Sequence, residues 1–152
     1  MSILDSKLEF SDAQVISASS ASTVTGTNVV YLGTFYKDWL KELGTTSGAT
    51  TPDPGEGNNG LVVNFQVATA LNASAYVVAK VYHHTVSAVT SGAVLGSVTF
   101  SAADAAGTRK SFRLPAGTIN KYIGVQYSTV GSNMTTGAMD AWMGLDTETP
   151  TK

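Results

Sequence analysis

The chain contains no cysteine, so neither a disulfide framework nor a thiolate metal site is open to it. That absence fits synthesis in a reducing cytoplasm. Charge is scarce as well: Asp, Glu, Lys and Arg make up 13% of the 152 residues, against roughly 25% in ordinary globular proteins. The net charge is only −2, and the longest basic run is Arg109-Lys110 with Arg113 nearby. A nucleic-acid partner calls for clustered Lys and Arg, so that class is set aside. No apolar run approaches the ~20 residues that cross a bilayer as a helix, and no membrane partner is expected. The N-terminus lacks the basic-then-apolar order of a secretory signal, so nothing in it directs export.

Histidine occurs only as the neighbours His83 and His84. Adjacent residues on a strand face opposite sides, so the two cannot converge on one metal or one substrate, and structural roles are expected for both. No Gly-x-Ser-x-Gly elbow is present. The Gly-rich stretch lacks the Lys-Ser/Thr ending of a phosphate loop. Asp53, Glu56, Asn58 and Asn59 offer calcium-type oxygens, but their order does not match an EF-hand, and the flanking prolines explain the segment as turns. Paired carboxylates could come only from distant positions such as Glu56 and Asp140, which nothing selects. The sequons at Asn72-Ala73-Ser74 and Asn133-Met134-Thr135 carry little weight without an export signal. The chain is therefore expected to be no enzyme and to need no cofactor and no metal.

What is present is alternation. Leu61, Val63, Phe65 and Val67 point one way, with Asn64 and Gln66 opposite. Val77, Ala79 and Val81 share a face against Tyr76, Val78, Lys80 and Tyr82. Val94, Val98 and Phe100 fall together with Ser97 and Thr99 outward, and Met139, Ala141, Met143 and Leu145 oppose Asp140 and Trp142. Half-buried strands alternate in this way. Val29–Leu32, Lys110–Leu114 and Tyr122–Thr129 are weaker strand candidates. Gly, Asn, Ser and Pro clusters between them favour antiparallel connections. The expectation is an all-β protein, an antiparallel β-sandwich of jelly-roll-like form, with one short helix near residues 35–43. In that segment Phe35, Tyr36, Trp39, Leu40 and Leu43 fill an arc of about 140°, and Gly44 stands where a C-terminal cap belongs. The helix either covers an open end of the sandwich or offers Trp39 to a partner.

At this length one domain is expected, able to bury roughly 68–70% of the surface its unfolded chain exposes. Its bounds are read as 15–148, after an N-terminal arm at 1–14 and before a tail at 149–152. The stretches Ser17–Asn28 and Thr45–Gly60 read as surface excursions. The arm sets Ile3, Leu4, Leu8 and Phe10 among charges, where they either complete the protein's own sheet or dock on a neighbour. Tyr82, His84 and Trp142 fall on outward positions, and Tyr and Trp there suit a subunit interface or a sugar-stacking platform.

Three segments carry a resemblance: Ile3–Gln14, Ser20–Gly33 and the closing Asp140-Ala141-Trp142-Met143-Gly144-Leu145-Asp146. They resemble the small capsid-stabilising (cementing or decoration) proteins of tailed bacteriophages. The resemblance implies a jelly-roll-like fold on the outer surface of the virion, made in the host cytoplasm and bridging neighbouring major capsid proteins. It further implies a homo-oligomer, most simply a dimer. The expected contact residues are Ile3, Leu4, Leu8, Phe10, Trp39, Tyr82, His84 and Trp142. The alternatives are a lectin-like carbohydrate-binding module or another tail or appendage structural protein.

Overall fold

Alternation decides which side of each strand is buried. The computed structural model describes residues 8–16, 22–32, 61–72, 75–102, 104–116 and 119–145. In it Leu61, Val63, Phe65 and Val67 are buried, while Asn64 and Gln66 lie half-buried on the opposite side of their strand. Nine strands are formed among the described residues: β1 (Glu9–Val15), β2 (Thr23–Thr25), β3 (Val30–Tyr31), β4 (Leu61–Thr69), β5 (Ala75–His84), β6 (Ala93–Phe100), β7 (Arg109–Arg113), β8 (Tyr122–Gly131) and β9 (Ala138–Leu145). A 3₁₀ turn at Val89–Ser91 sits between β5 and β6.

These strands make two antiparallel sheets packed face to face. The first runs β1-β9-β4-β7; the second runs β2-β8-β5-β6, with β3 also on β8. Because β2 pairs with Gln126 to Ser128 and β3 with Tyr122 and Ile123, the two are pieces of one edge. Taken together as one strand, they give a chain that crosses between the sheets at every step except the β5–β6 hairpin, the winding of a jelly roll. The expected all-β antiparallel sandwich is thus the fold of the chain. The helix expected near residues 35–43 and the loop at 45–60 lie outside the described residues.

Between the sheets Phe10, Phe65, Phe100, Ile123, Tyr127, Met139 and Met143 form one cluster, each such burial contributing roughly 1.5–3 kcal/mol. Phe65 and Tyr127 meet edge to face, 6.4 Å between ring centroids. The Tyr127 hydroxyl shares a 2.6 Å hydrogen bond with Ser11 Oγ, tying β8 of one sheet to β1 of the other. Burial holds that phenol far above its ordinary range. An unmet hydroxyl at such depth would cost about 1–3 kcal/mol.

Three expectations are corrected. Residues 9–14 belong to β1, a strand of the protein's own sheet, and Phe10 is fully buried, so this part of the arm is not free to reach a neighbour. Leu8, too, packs against the core. Register shifts between Glu9 and Ser11 and between Ser11 and Gln14 place both Phe10 and Ser11 inward. At the second shift Ala13 adopts a φ of 41°, and its N–H donates to Asp140 Oδ1 at 2.6 Å. Such an irregularity also blunts an edge strand.

The parity of β6 changes midway. Val81 pairs with Gly96 but Tyr82 with Val94, so Leu95 is the extra residue of a bulge. Val94 is consequently turned out, 52% exposed, and Leu95 packs on the core in its place. Gly96 is required here, since a Cβ would lie 2.2 Å from the Phe112 ring that crosses from β7. Thirdly, the polar stretch Ser17–Asn28 holds β2, and Thr129 N–H donates to Ser22 O at 3.1 Å beside it.

Candidate functional site

The alternation that turns Met139, Ala141 and Met143 into the core turns Asp140 and Trp142 out. Pairing then sets their neighbours. Trp142 stands between Glu9 of β1 and Asn64 of β4. One row along, Asp140 faces Gln66, which faces Arg109 of β7. Arg109 Nε donates to Gln66 Oε1 at 2.6 Å, and its guanidinium carbon lies 5.1 Å from the Trp142 ring centroid. Glu9, Ser11, Asp12, Gln66, Arg109, Asp140 and Trp142 line a depression of about 320 Å³ on this face. The carboxylates of Glu9 and Asp12 have no partner among the described residues, whereas Asp140 is fixed through Ala13 N–H.

The second sheet presents a different surface. Tyr31 of β3 pairs with Tyr122 of β8, which pairs with His84 of β5, so the three form a row across the outer face. The tyrosine rings are 4.8 Å apart and tilted by 41°. Tyr31 is 41% exposed, and Val86 just past β5 is exposed as well. Beside them runs β6, an edge strand with no charged residue in Ala93–Phe100. Lys110 reaches only its last residues: Nζ donates to Thr99 O and to Asp104, each at 2.7 Å, and lies 4.8 Å from the Phe100 ring centroid. Lys110, and then Ser101 N–H, hold the Asp104 carboxyl below its usual range. The opposing edge β7 carries Arg109, Lys110 and Arg113.

The expected contact residues are not brought together. Trp142 lies in the first-sheet depression and His84 in the aromatic row of the other sheet. Phe10 is core and Leu8 half-buried on it; Ile3, Leu4 and Trp39 fall outside the described residues. Tyr82, expected on an open face, is buried: Val89 of the 3₁₀ turn covers the adjoining Gly124, and the Tyr82 hydroxyl donates to Gln126 Oε1 at 3.1 Å. Tyr31 and Tyr122 were missed because only strand pairing joins residues so far apart in sequence.

Each histidine is engaged by the backbone at the end of β5. His83 Nδ1 accepts from Asn120 N–H at 2.9 Å and His84 Nδ1 from Val86 N–H at 3.0 Å. Burial, with the neighbouring His84 second, lowers the His83 pKa. Among the described residues no group of three His, Asp or Glu side chains is placed to share a metal ion. The Asn72 sequon amide is occupied internally, accepting from Thr135 and Thr136 N–H at 3.3 and 2.9 Å and donating to Asn133 O at 2.8 Å. Compared with known proteins, the chain matches no family model and no curated protein.

Proposed function

We propose that this protein binds the outside of an assembled phage head and bridges neighbouring major capsid proteins, acting as a homo-oligomer and catalysing nothing. The observation that carries a protein-binding role is the uncharged edge β6 with the exposed Val94, beside the row Tyr31, Tyr122 and His84. An edge strand without Lys, Glu or Pro is open to pairing with another chain unless a partner occupies it. Tyr and His beside such an edge suit the core of a protein interface. The family resemblance supplies the identity of the partner. Its segments are neighbours in space: β1 pairs with β9, Asn28 N–H donates to Phe10 O, and the Gln14 amide bonds Thr25 O and Thr27 N–H. Repetition over a head would let modest contacts act together.

Co-sedimentation with heads assembled from the major capsid protein of the same phage tests this reading. The full chain is expected to associate and to delay thermal disruption of the heads. The pair Val94→Lys and Ser97→Lys, both on exposed positions, is expected to weaken association at least tenfold while changing stability by no more than about 0.5 kcal/mol. Deleting residues 2–7 measures the share of Ile3 and Leu4 without removing Leu8 or Phe10 from the core. Failure of the full chain to bind such heads would overturn the proposal.

A further inference from the structure

The depression around Trp142 lies on the opposite sheet from β6 and the aromatic row, away from the surface proposed above to meet a partner protein. We propose that it is a binding site for a neutral saccharide. The lining combines both hydrogen-bonding senses. Arg109 is held by Gln66 through Nε and by the Trp142 ring, which leaves its terminal amino groups as donors without a partner among the described residues. Glu9 and Asp12 are acceptors in the same position, as is the second oxygen of Asp140.

Ligands of a single sense fit poorly. An anion would meet three carboxylates: Glu9, Asp12 and Asp140. A cation drawn to the indole would meet the like charge of the Arg109 guanidinium, 5.1 Å from the ring centroid, which a neutral ligand does not. A point-like metal ion finds no three convergent carboxylates among the described residues. A sugar hydroxyl both donates and accepts, so it satisfies Arg109 and the carboxylates together. Planar guanidinium and carboxylate groups can each bind through two atoms at once. The C–H face of a sugar ring suits the apolar body of Trp142, a residue whose large flat surface loses little freedom on binding. Arg109 and Asp140 are oriented before any ligand arrives, which lowers the ordering cost. The volume lies at the lower end of small-molecule sites, roughly 300–1,000 Å³.

The test uses the free full-length protein and needs no capsid, so its result is separate from that of the co-sedimentation experiment. An array presents neutral oligosaccharides of glucose, galactose, mannose and N-acetylglucosamine beside sialylated and sulfated glycans, and a tri-arginine peptide is titrated in parallel. The strongest neutral binder is then followed by calorimetry with the wild type, Trp142→Ala, and the pair Glu9→Gln and Asp12→Asn. Saturable neutral binding, weakened at least tenfold by both variants, is the expected result. The carboxamide pair keeps side-chain shape and so decides the matter even where Trp142→Ala fails to fold. Absence of neutral binding overturns the site, as does neutral binding that survives the carboxamide pair. Preference for acidic glycans overturns the ligand class, and tighter binding of tri-arginine reassigns the depression to a basic protein partner.

Discussion

The outer face of the first sheet gathers Glu9, Gln66, Arg109 and Asp140 around Trp142, whereas that of the second sets Tyr31, Tyr122 and His84 in a row without Asp, Glu, Lys or Arg. One alternation builds both, because inward positions are committed to the core and outward ones are not. The first face fixes Arg109 and Asp140 by hydrogen bonds within the sheet and leaves Glu9 and Asp12 without a partner among the described residues, which suits a small ligand that needs orientation. The second carries its aromatic row next to the uncharged edge β6, which suits an extended protein surface. The two edges that close this side of the sandwich divide in the same sense: β7 is guarded by three cations and β6 by none of its own.

This contrast requires both faces to stand on a single core, and Phe10 is the most severe test of that. It is fully buried in the cluster shared by the two sheets. Phe10→Ala is expected to cost about 3–5 kcal/mol in denaturant unfolding, because it removes an aromatic ring and leaves a cavity. Melting close to that of the wild type would mean that β1 does not complete the first sheet. Glu9 and Asp12 would then leave the depression, and the comparison of faces would fail with it.

How much of this was legible in the sequence follows from where a local pattern suffices. Leu61–Val67 reads correctly because Leu61, Val63, Phe65 and Val67 keep one parity throughout, while Asn64 and Gln66 mark the other side despite the buried Val62. The outward position of Trp142 reads correctly for the same reason. β6 misleads before Gly96, since the bulge at Leu95 reverses the parity of Val94 and only the glycine hints at it. β1 passes for a free arm because two register shifts place Phe10 and Ser11 inward together, and Ala13 at positive φ gives no signal of the kind Gly or Asn would. In β2, Thr23, Val24 and Thr25 have strand-forming character that the surrounding Ser-rich composition masks. Neither the Arg109–Gln66–Trp142 arrangement nor the Tyr31–Tyr122–His84 row was legible, as both depend on strand order rather than on spacing along the chain.

A smaller effect separates the faces by pH. His83 closes the end of β5 in the second sheet, and its pKa is lowered from 6.5 by burial first and by His84 second. The unfolded chain therefore takes up a proton that the folded chain resists, so stability is complete above pH 6.5 and falls as pH drops through the interval below it. Protonation also removes the Nδ1 acceptor from Asn120 N–H. Urea midpoints measured between about pH 7.5 and 5 should decline, and the decline should be shallower in His83→Gln. Asp104 does not confuse the test: its pKa is lowered from 3.8, so its contribution is lost only in more acidic solution. An identical decline in wild type and variant would remove His83 as the cause.

The smallest effects distinguish the physical bonds of the two faces most directly. Arg109 and Trp142 meet as cation and ring, Tyr31 and Tyr122 as two rings. A double-mutant cycle with Arg109→Ala and Trp142→Ala is expected to give a coupling of about 0.5–1 kcal/mol at this partly exposed position. The corresponding cycle with Tyr31→Ala and Tyr122→Ala is expected to give about 0.5–1.5 kcal/mol. Magnitudes so close do not separate the pairs, but salt does. The first coupling draws on the attraction between a charge and the ring quadrupole, so raising ionic strength from about 0.01 to 1 M, which shortens the screening length from about 30 to 3 Å, should reduce it. The second rests on contact and apolar burial between uncharged rings and should persist or rise slightly. Equal salt dependence in the two cycles would show that the faces differ in composition but not in the forces that organise them.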